Sequence, residues 1–226
     1  MKDGFIKVAA GTPDVRVADC EFNASEIIRM VHDMEEQGAK VMVFPELCIT
    51  AYTCGDLFWQ ENLLEEAKVQ LVRIAEETKE VDALIFVGLP LEYNGKLYNV
   101  AAALNHGNLL GLVPKTYIPN YNEFYEQRHF SSGADVWEEV TVGEESVPFA
   151  GNLIFSCENM PELTVAAEIC EDLWVPLPPS VKLAQGGAHI IVNLSASDEM
   201  VGKDSYRRDL VKGQSARLIC GYIYAT

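Results

Sequence analysis

The stretch Val165-Ala166-Ala167-Glu168-Ile169-Cys170-Glu171-Asp172-Leu173-Trp174 runs as an apolar strand up to a cysteine and leaves that cysteine among carboxylates. Neighbouring anions disfavour a thiolate and raise a thiol's pKa, and the unperturbed value of about 8.5 already leaves little thiolate at neutral pH. A nucleophilic Cys170 would therefore need a base and a cation from elsewhere in the chain. The competing reading is a cysteine that fills space at a strand end, free Cys being among the most buried residue types. On this segment alone, space-filling is the simpler reading.

Two other apolar strands end in a similar way, residues 41–45 on Glu46 and residues 109–114 on Lys115. In open α/β sheets, sites form at the carboxyl ends of strands. One charged residue there marks the point where the chain meets water, but three of complementary type on three strands favour a site. Glu46 can take the thiol proton and later pass it to a leaving amine. Lys115 supplies the cation that Glu168, Glu171 and Asp172 make necessary, and can stabilise an oxyanion with the backbone N–H after the nucleophile. Such a set suits acyl transfer from an amide through a thioester that water opens.

The remaining pattern alternates strands, helices and hairpins. Residues 5–12 read as a buried strand, 21–37 as an amphipathic helix stopped by Gly38, and 63–80 as a second amphipathic helix. Residues 83–91 and 97–104 form a hairpin about Asn94-Gly95, and His106-Gly107-Asn108 turns the chain into 109–114. Further strands are expected at 147–155, 163–169, 189–194 and 220–224, with helices at 176–184 and 204–218. Residues 116–133 form a long aromatic loop, of a length that tends to cover a site. The last strand stops at Thr226 without a closing element, so the expectation is a fragment shorter than its native domain.

The 226 residues fit one large α/β domain or two small ones. A formal net charge of -17 argues against a nucleic-acid partner, because such binding rests on Lys and Arg contacts to phosphates. The acidic clusters, among them Glu138, Glu139, Glu144 and Glu145, read as solvated faces and a loop. No apolar run reaches membrane-spanning length and the N-terminal one is too short for a signal peptide, so the expectation is a cytoplasmic chain with no membrane partner. Six Cys without a Cys-x-x-Cys pair point to reduced thiols and to no metal site.

Phe44-Pro45-Glu46-Leu47, Pro114-Lys115-Thr116-Tyr117 and Glu168-Ile169-Cys170-Glu171-Asp172 match, in order, the three signatures of the nitrilase (carbon–nitrogen hydrolase) superfamily. The resemblance covers essentially the whole chain. Three runs make it similar in particular to the glutaminase domains of glutamine-dependent NAD synthetases: residues 47–58 (Leu-Cys-Ile-Thr-Ala-Tyr-Thr-Cys-Gly-Asp-Leu-Phe), residues 119–128 (Pro-Asn-Tyr-Asn-Glu-Phe-Tyr-Glu-Gln-Arg) and Asn193-Leu194-Ser195-Ala196-Ser197.

The resemblance implies an α/β fold of the αββα four-layer sandwich type over 1–226, with Glu46 as base, Lys115 as oxyanion stabiliser and Cys170 as nucleophile. Glu126 is the best match to a second active-site glutamate, with Glu123 as rival. Tyr121, Glu171, Ser197 and Lys203 correspond to residues that hold glutamine, and Tyr52 and Phe124 to residues that line the pocket or the ammonia exit. Lys203 stands where several relatives carry Arg; it keeps the charge for a substrate carboxylate but loses the bidentate fork. The implied reaction is hydrolysis of the glutamine side-chain amide to glutamate and ammonia, the ammonia serving NAD synthesis from its deamido precursor. No cofactor is implied for that step; ATP and Mg would bind a synthetase domain that these residues do not contain. Superfamily members commonly assemble through such sandwiches, which implies a homo-oligomer.

Other chemistries fit the letters less well. None of His32, His106, His129 and His189 sits in a His-x-Glu element, and Lys2 rather than Cys follows Met1, which argues against two other glutaminase types. Ser131-Ser132-Gly133-Ala134-Asp135 echoes an ATP-pyrophosphatase loop without its second Gly and final Ser, and reads as a surface turn. Two alternatives remain, a stand-alone amidase or carbamoylase on another small amide, and a catalytically silent interaction module.

Overall fold

In a computed structural model, which describes residues 4–226, two sheets face each other and helices cover their outer sides. The first sheet has the order β1-β2-β3-β4-β5-β7-β6, from strands Val8–Ala10, Val41–Val43, Leu84–Tyr93, Lys96–Asn105, Asn108–Pro114, Trp137–Val142 (β6) and Glu145–Ala150 (β7). The second has the order β11-β10-β9-β8, from Phe155–Cys157 (β8), Met160–Ile169 (β9), Ile190–Leu194 (β10) and Gly221–Ala225 (β11). Strands β1, β2 and β3 run parallel, as do β9, β10 and β11, while β3-β4-β5 is an antiparallel meander.

The period-2 alternation of strand side chains creates three cores. On β2, Val41 and Val43 point between the sheets, where they meet Val165, Ala167, Ile169, Val192 and Leu194 of the second sheet. Met42 and the following Phe44 point the other way, onto Ile27, Val31, Leu71 and Ile74 of helices α1 (Cys20–Glu36) and α2 (Glu61–Glu77). Ala166 and Ile191 face Leu183 of helix α3 (Pro179–Gln185), and helix α4 (Lys203–Leu218) packs on β11. Helix, sheet, sheet and helix thus stack in the αββα order that the sequence resemblance implies. No helix among the described residues is long and apolar enough to cross a membrane.

Helix boundaries follow the local chemistry. Asp19 caps α1 by accepting the Phe22 N–H at 3.1 Å, and Gly38 follows its end at φ +80°, a conformation costly for a residue with a Cβ. Helix α2 ends three residues before the expected boundary, where the Thr78 hydroxyl donates to the Ile74 carbonyl at 2.7 Å.

Three expectations are corrected and one element is new. The first strand pairs over Val8–Ala10 alone, as a partly exposed edge rather than a buried strand. The run expected as one strand over 147–155 divides between the two sheets, with a turn at Gly151-Asn152. Leu153 enters the core between the sheets while Ile154 packs on α3's side, so this segment carries the chain from one layer to the next. Glu138 and Glu139 lie on edge strand β6 rather than in a loop; Val140 and Val142 are buried, and the acidic side chains guard an exposed edge. Tyr52–Trp59 winds into irregular 3-10 turns that the sequence reading did not anticipate.

Candidate active site

The three strand ends converge. Beyond β2, Pro45 and Glu46 turn sharply, with Leu47 at φ +52°. Gly88 on β3 makes room for this turn: a Cβ there would stand 2.4 Å from the Leu47 nitrogen and 2.7 Å from the Pro45 oxygen. Beyond β5, the Lys115 N–H donates to the Asn99 carbonyl at 2.8 Å, and the Gly133 N–H donates to the Lys115 carbonyl at 2.8 Å. Residues 131–135 form the surface turn that the sequence suggests, and its buried Gly133 also braces the lysine turn. Ser132 Oγ adds a bond to the Thr116 carbonyl at 2.6 Å. Beyond β9, Cys170 takes φ +43° and opens a short 3-10 turn, Cys170–Leu173. A non-glycine residue in that region carries strain that surrounding contacts must hold in place.

Those contacts cross from sheet to sheet. The buried Asp172 carboxylate accepts the Ile169 N–H at 3.0 Å and reaches over to the Thr116 and Tyr117 N–H groups at 3.1 and 2.8 Å, tying the cysteine turn to the lysine turn. The Glu46 N–H donates to the Ser195 carbonyl at 3.3 Å, and the Ala196 N–H donates to Glu46 Oε2 at 3.0 Å, tying β2 to the end of β10. Glu168 faces α3, where it accepts the Ser180 N–H at 2.8 Å and the Tyr222 hydroxyl. Glu168 and Asp172, which the sequence leaves without roles, are thus fasteners of the cysteine turn.

At the centre, Lys115 Nζ lies 2.5 Å from Glu46 Oε1 and 2.8 Å from both oxygens of Glu126, with every partner buried. Of the two candidate glutamates, Glu126 meets the lysine and Glu123 is exposed. Tyr52 donates its hydroxyl to Glu126 Oε1 at 2.7 Å, and Asn99 Nδ2 donates to Glu46 Oε1 at 2.6 Å. Burial works against the Lys115 ammonium, but the Glu46 and Glu126 charges outweigh it and keep the lysine protonated. Burial and then the Glu46 charge push Glu126 up to about 7. Burial, reinforced by Glu46, pushes the Cys170 thiol up to about 12, while Lys115, the Ser195 hydroxyl and the Ala196 N–H pull it down. Cys170 is therefore a thiol at rest, and the Glu46 carboxylate that raises it is held by the Ala196 N–H at 3.0 Å.

Outside this buried centre, a mouth gathers four of the residues expected to bind substrate. Tyr121 donates its hydroxyl to Glu171 Oε2 at 2.8 Å and stacks edge-on against Phe124 at 5.7 Å. Lys203 Nζ stands 5.7 Å from the Phe124 ring centre and 5.3 Å from that of Trp174, and pairs with Asp198. Ser197 is tied by its backbone, the N–H donating to Thr226 Oγ1 at 3.2 Å. An open cleft of about 700 Å³ shares Tyr121 and Glu171 with this mouth but not Cys170, Lys115 or Glu46. It lies beside the chemistry, so the buried cluster rather than the cleft defines the site. Among the described residues, no group of three or more His, Cys, Asp or Glu side chains is arranged to hold a metal ion.

Residues 7–224 match the family model described as carbon-nitrogen hydrolase. The chain belongs to the carbon–nitrogen hydrolase family. It is 36% identical, over 98% of its length, to a glutamine-dependent NAD(+) synthetase of Mycobacterium tuberculosis and covers 33% of that protein. It is 30% identical, over 92% of its length, to the enzyme of that name from Aquifex aeolicus, again covering 33%. Among solved structures it superposes on a glutamine-dependent NAD(+) synthetase from Cytophaga hutchinsonii with a TM-score of 0.86 at 28% identity, over 97% of this chain and 35% of the other. An amidase from Nesterenkonia shares the carbon–nitrogen hydrolase fold at a TM-score of 0.73 and 17% identity, over 98% and 78% of the two chains. The chain thus spans about a third of the length of the NAD(+) synthetases it matches.

Within this carbon–nitrogen hydrolase site, sequence reasoning passed over Asn99, Tyr222 and Tyr224, and gave no role to Asn193 and Ser195, which it met only as part of a family run. Asn99 carried a signal, being a polar residue inside the apolar run of β4. Asn193 carried a similar one, a buried amide within the apolar strand β10, where nothing but a hydrogen-bonding duty justifies its burial. Tyr222 and Tyr224 gave none, because aromatic residues are common in strands whatever their task.

Proposed function

We propose that the chain hydrolyses the side-chain amide of glutamine. Cys170 attacks the amide carbon as Glu46 takes the thiol proton. Lys115 and the N–H following Cys170 stabilise the oxyanion, and Glu46 then hands its proton to the departing nitrogen so that the C–N bond breaks and ammonia leaves. Water, deprotonated by Glu46, opens the thioester to glutamate and regenerates the thiol. Glu126 acts through Lys115, holding it charged and in place. At the mouth, Glu171 and Tyr121 meet the substrate's α-ammonium and Lys203 its carboxylate, with Ser197 and Phe124 completing the enclosure.

The observation that carries this reading is the buried Glu46–Lys115–Glu126 cluster at strand ends that also deliver Cys170 in a strained turn. The similarity to proteins named glutamine-dependent NAD(+) synthetase supports glutamine as substrate. It also supports a partner synthetase domain that takes up the ammonia released for NAD synthesis; in this reading ATP and Mg act at that domain, and the glutaminase step uses no cofactor. The test compares glutamine with simple aliphatic amides and N-carbamoyl compounds. Glutamine is expected to be turned over with the highest kcat/KM, and a preference for either other class would replace glutamine with that class.

A further inference from the structure

Two polar rungs cross β9, β10 and β11 next to the cysteine turn. Glu168, Asn193 and Tyr222 are linked by side-chain hydrogen bonds in one, and Cys170, Ser195 and Tyr224, each two residues further along the chain, in the other. The register sets Asn193 opposite Glu168 and Tyr224, so each rung steps diagonally by two residues onto β11. In the first rung Tyr222 donates to Glu168, Asn193 Nδ2 donates to the Tyr222 oxygen at 3.0 Å, and Asn193 Oδ1 accepts the Cys170 N–H at 3.1 Å. That rung holds the backbone of the strained residue. In the second, Ser195 Oγ lies 3.3 Å from Cys170 Sγ and 2.6 Å from the Tyr224 hydroxyl, and Ser195 is fully buried. A serine has one proton to give. If it points to sulfur, the Tyr224 hydroxyl must point to Ser195 Oγ, and each bond polarises the next.

We infer that Ser195 is a further catalytic residue, whose hydroxyl donates to the Cys170 sulfur when that sulfur is a thiolate, and that Tyr224 is a positioning residue that aims it. The inference rests on Cys170 being the nucleophile. No proton is consumed: the thiol proton goes to Glu46, Ser195 keeps its own, and its hydrogen bond strengthens as charge builds on sulfur before attack and again when the thioester breaks. The titratable groups around that sulfur are Glu46 and Lys115 from the first sheet, Tyr52 and Tyr121 from the covering segments, and Tyr224 from β11. Beside these groups, Ser195, backed by Tyr224, gives the second sheet a hydrogen-bond route of its own to the sulfur.

The test is the pH profile of Cys170 alkylation by iodoacetamide in the full chain, read beside glutamine hydrolysis. Ser195→Ala is expected to move the apparent thiol pKa upward and to lower both the alkylation rate near neutral pH and kcat/KM by about tenfold, the size typical of a hydrogen bond to a charged group. Tyr224→Phe should shift the profile the same way by a smaller amount, and Ser195→Thr should restore it. A profile that Ser195→Ala leaves superimposable on the parent's overturns the inference. Should Ser195→Ala not fold, Tyr224→Phe decides on the same readout, an unshifted profile again overturning it. If alkylating Cys170 in the parent chain leaves glutamine hydrolysis intact, the nucleophile assignment itself fails, a result distinct from an unshifted profile in an enzyme that alkylation kills.

Discussion

Lys115 is an ammonium with no exposed surface, and water gives it no help. Its charge is tolerable because Glu46 and Glu126 flank it, and Glu46 in turn is fixed by Asn99 and the Ala196 N–H. A buried charged cluster of this kind is costly to assemble and is kept where its chemistry is needed. Glu46→Gln should therefore leave Cys170 in place but without its base. Glutamine hydrolysis is expected to fall by about 10²–10⁴-fold, measured as initial ammonia release. A loss below about threefold would remove Glu46 from the proton path. At this scale the sequence exposes what ends a strand and hides what crosses between strands. Glu46, Lys115 and Cys170 are legible because charge or sulfur terminates an apolar run. Ser195 is not, because its contact to Cys170 spans 25 positions and depends on register.

The elements matter through the precision with which they stop. Glu46 can turn toward Lys115 because β3 presents a glycine against the turn, and Asp172 ties two strand ends that belong to different sheets. Gly88→Ala would press a methyl group against the Leu47 nitrogen and the Pro45 oxygen, neither of which can yield without displacing Glu46. Overpacking of this kind costs about 1–3 kcal/mol. The variant is expected to lower Tm and glutamine hydrolysis together, whereas an unchanged kcat would mean that the Glu46 turn has slack. Helices α1 and α2 were legible because long amphipathic periods leave little choice of structure, whereas α4 buries Arg207 and Gln214 rather than an apolar stripe. The passage from β7 to β8 was not, since an apolar run that changes sheets has the same composition as one that stays. Edge strand β6 was hidden for the opposite reason, because its acidic face resembles a solvated loop.

At the scale of the molecule, three cores hold four layers together, and the site sits where the two sheets meet at their strand ends. Burial pushes both Glu126 and Asp172 up to about 7, well above the usual carboxyl range. Between about pH 4 and about pH 7 the folded chain therefore binds protons that the unfolded chain has released, so stability falls as pH rises through that window. Their contribution is fully present below about pH 4. The exposed Asp56, drawn down to about 2 by Arg128, loses its own contribution below that window and does not offset theirs. The net charge of -17 acts in the same direction as Glu126 and Asp172, since deprotonation adds to self-repulsion. Tm is expected to drop by about 5 °C between about pH 5 and about pH 8. A Tm that rises over this range would place both carboxyls in environments that stabilise their charge.

The central claim is that Cys170 is the atom that bonds to substrate. Incubating the chain with a glutamine-analogue electrophile under reducing conditions and measuring its intact mass tests this most directly. The account predicts one added equivalent per chain, located at Cys170, with ammonia release lost in step and no adduct on Cys170→Ala. An adduct that persists on Cys170→Ala, or glutamine hydrolysis that survives that substitution, would contradict it.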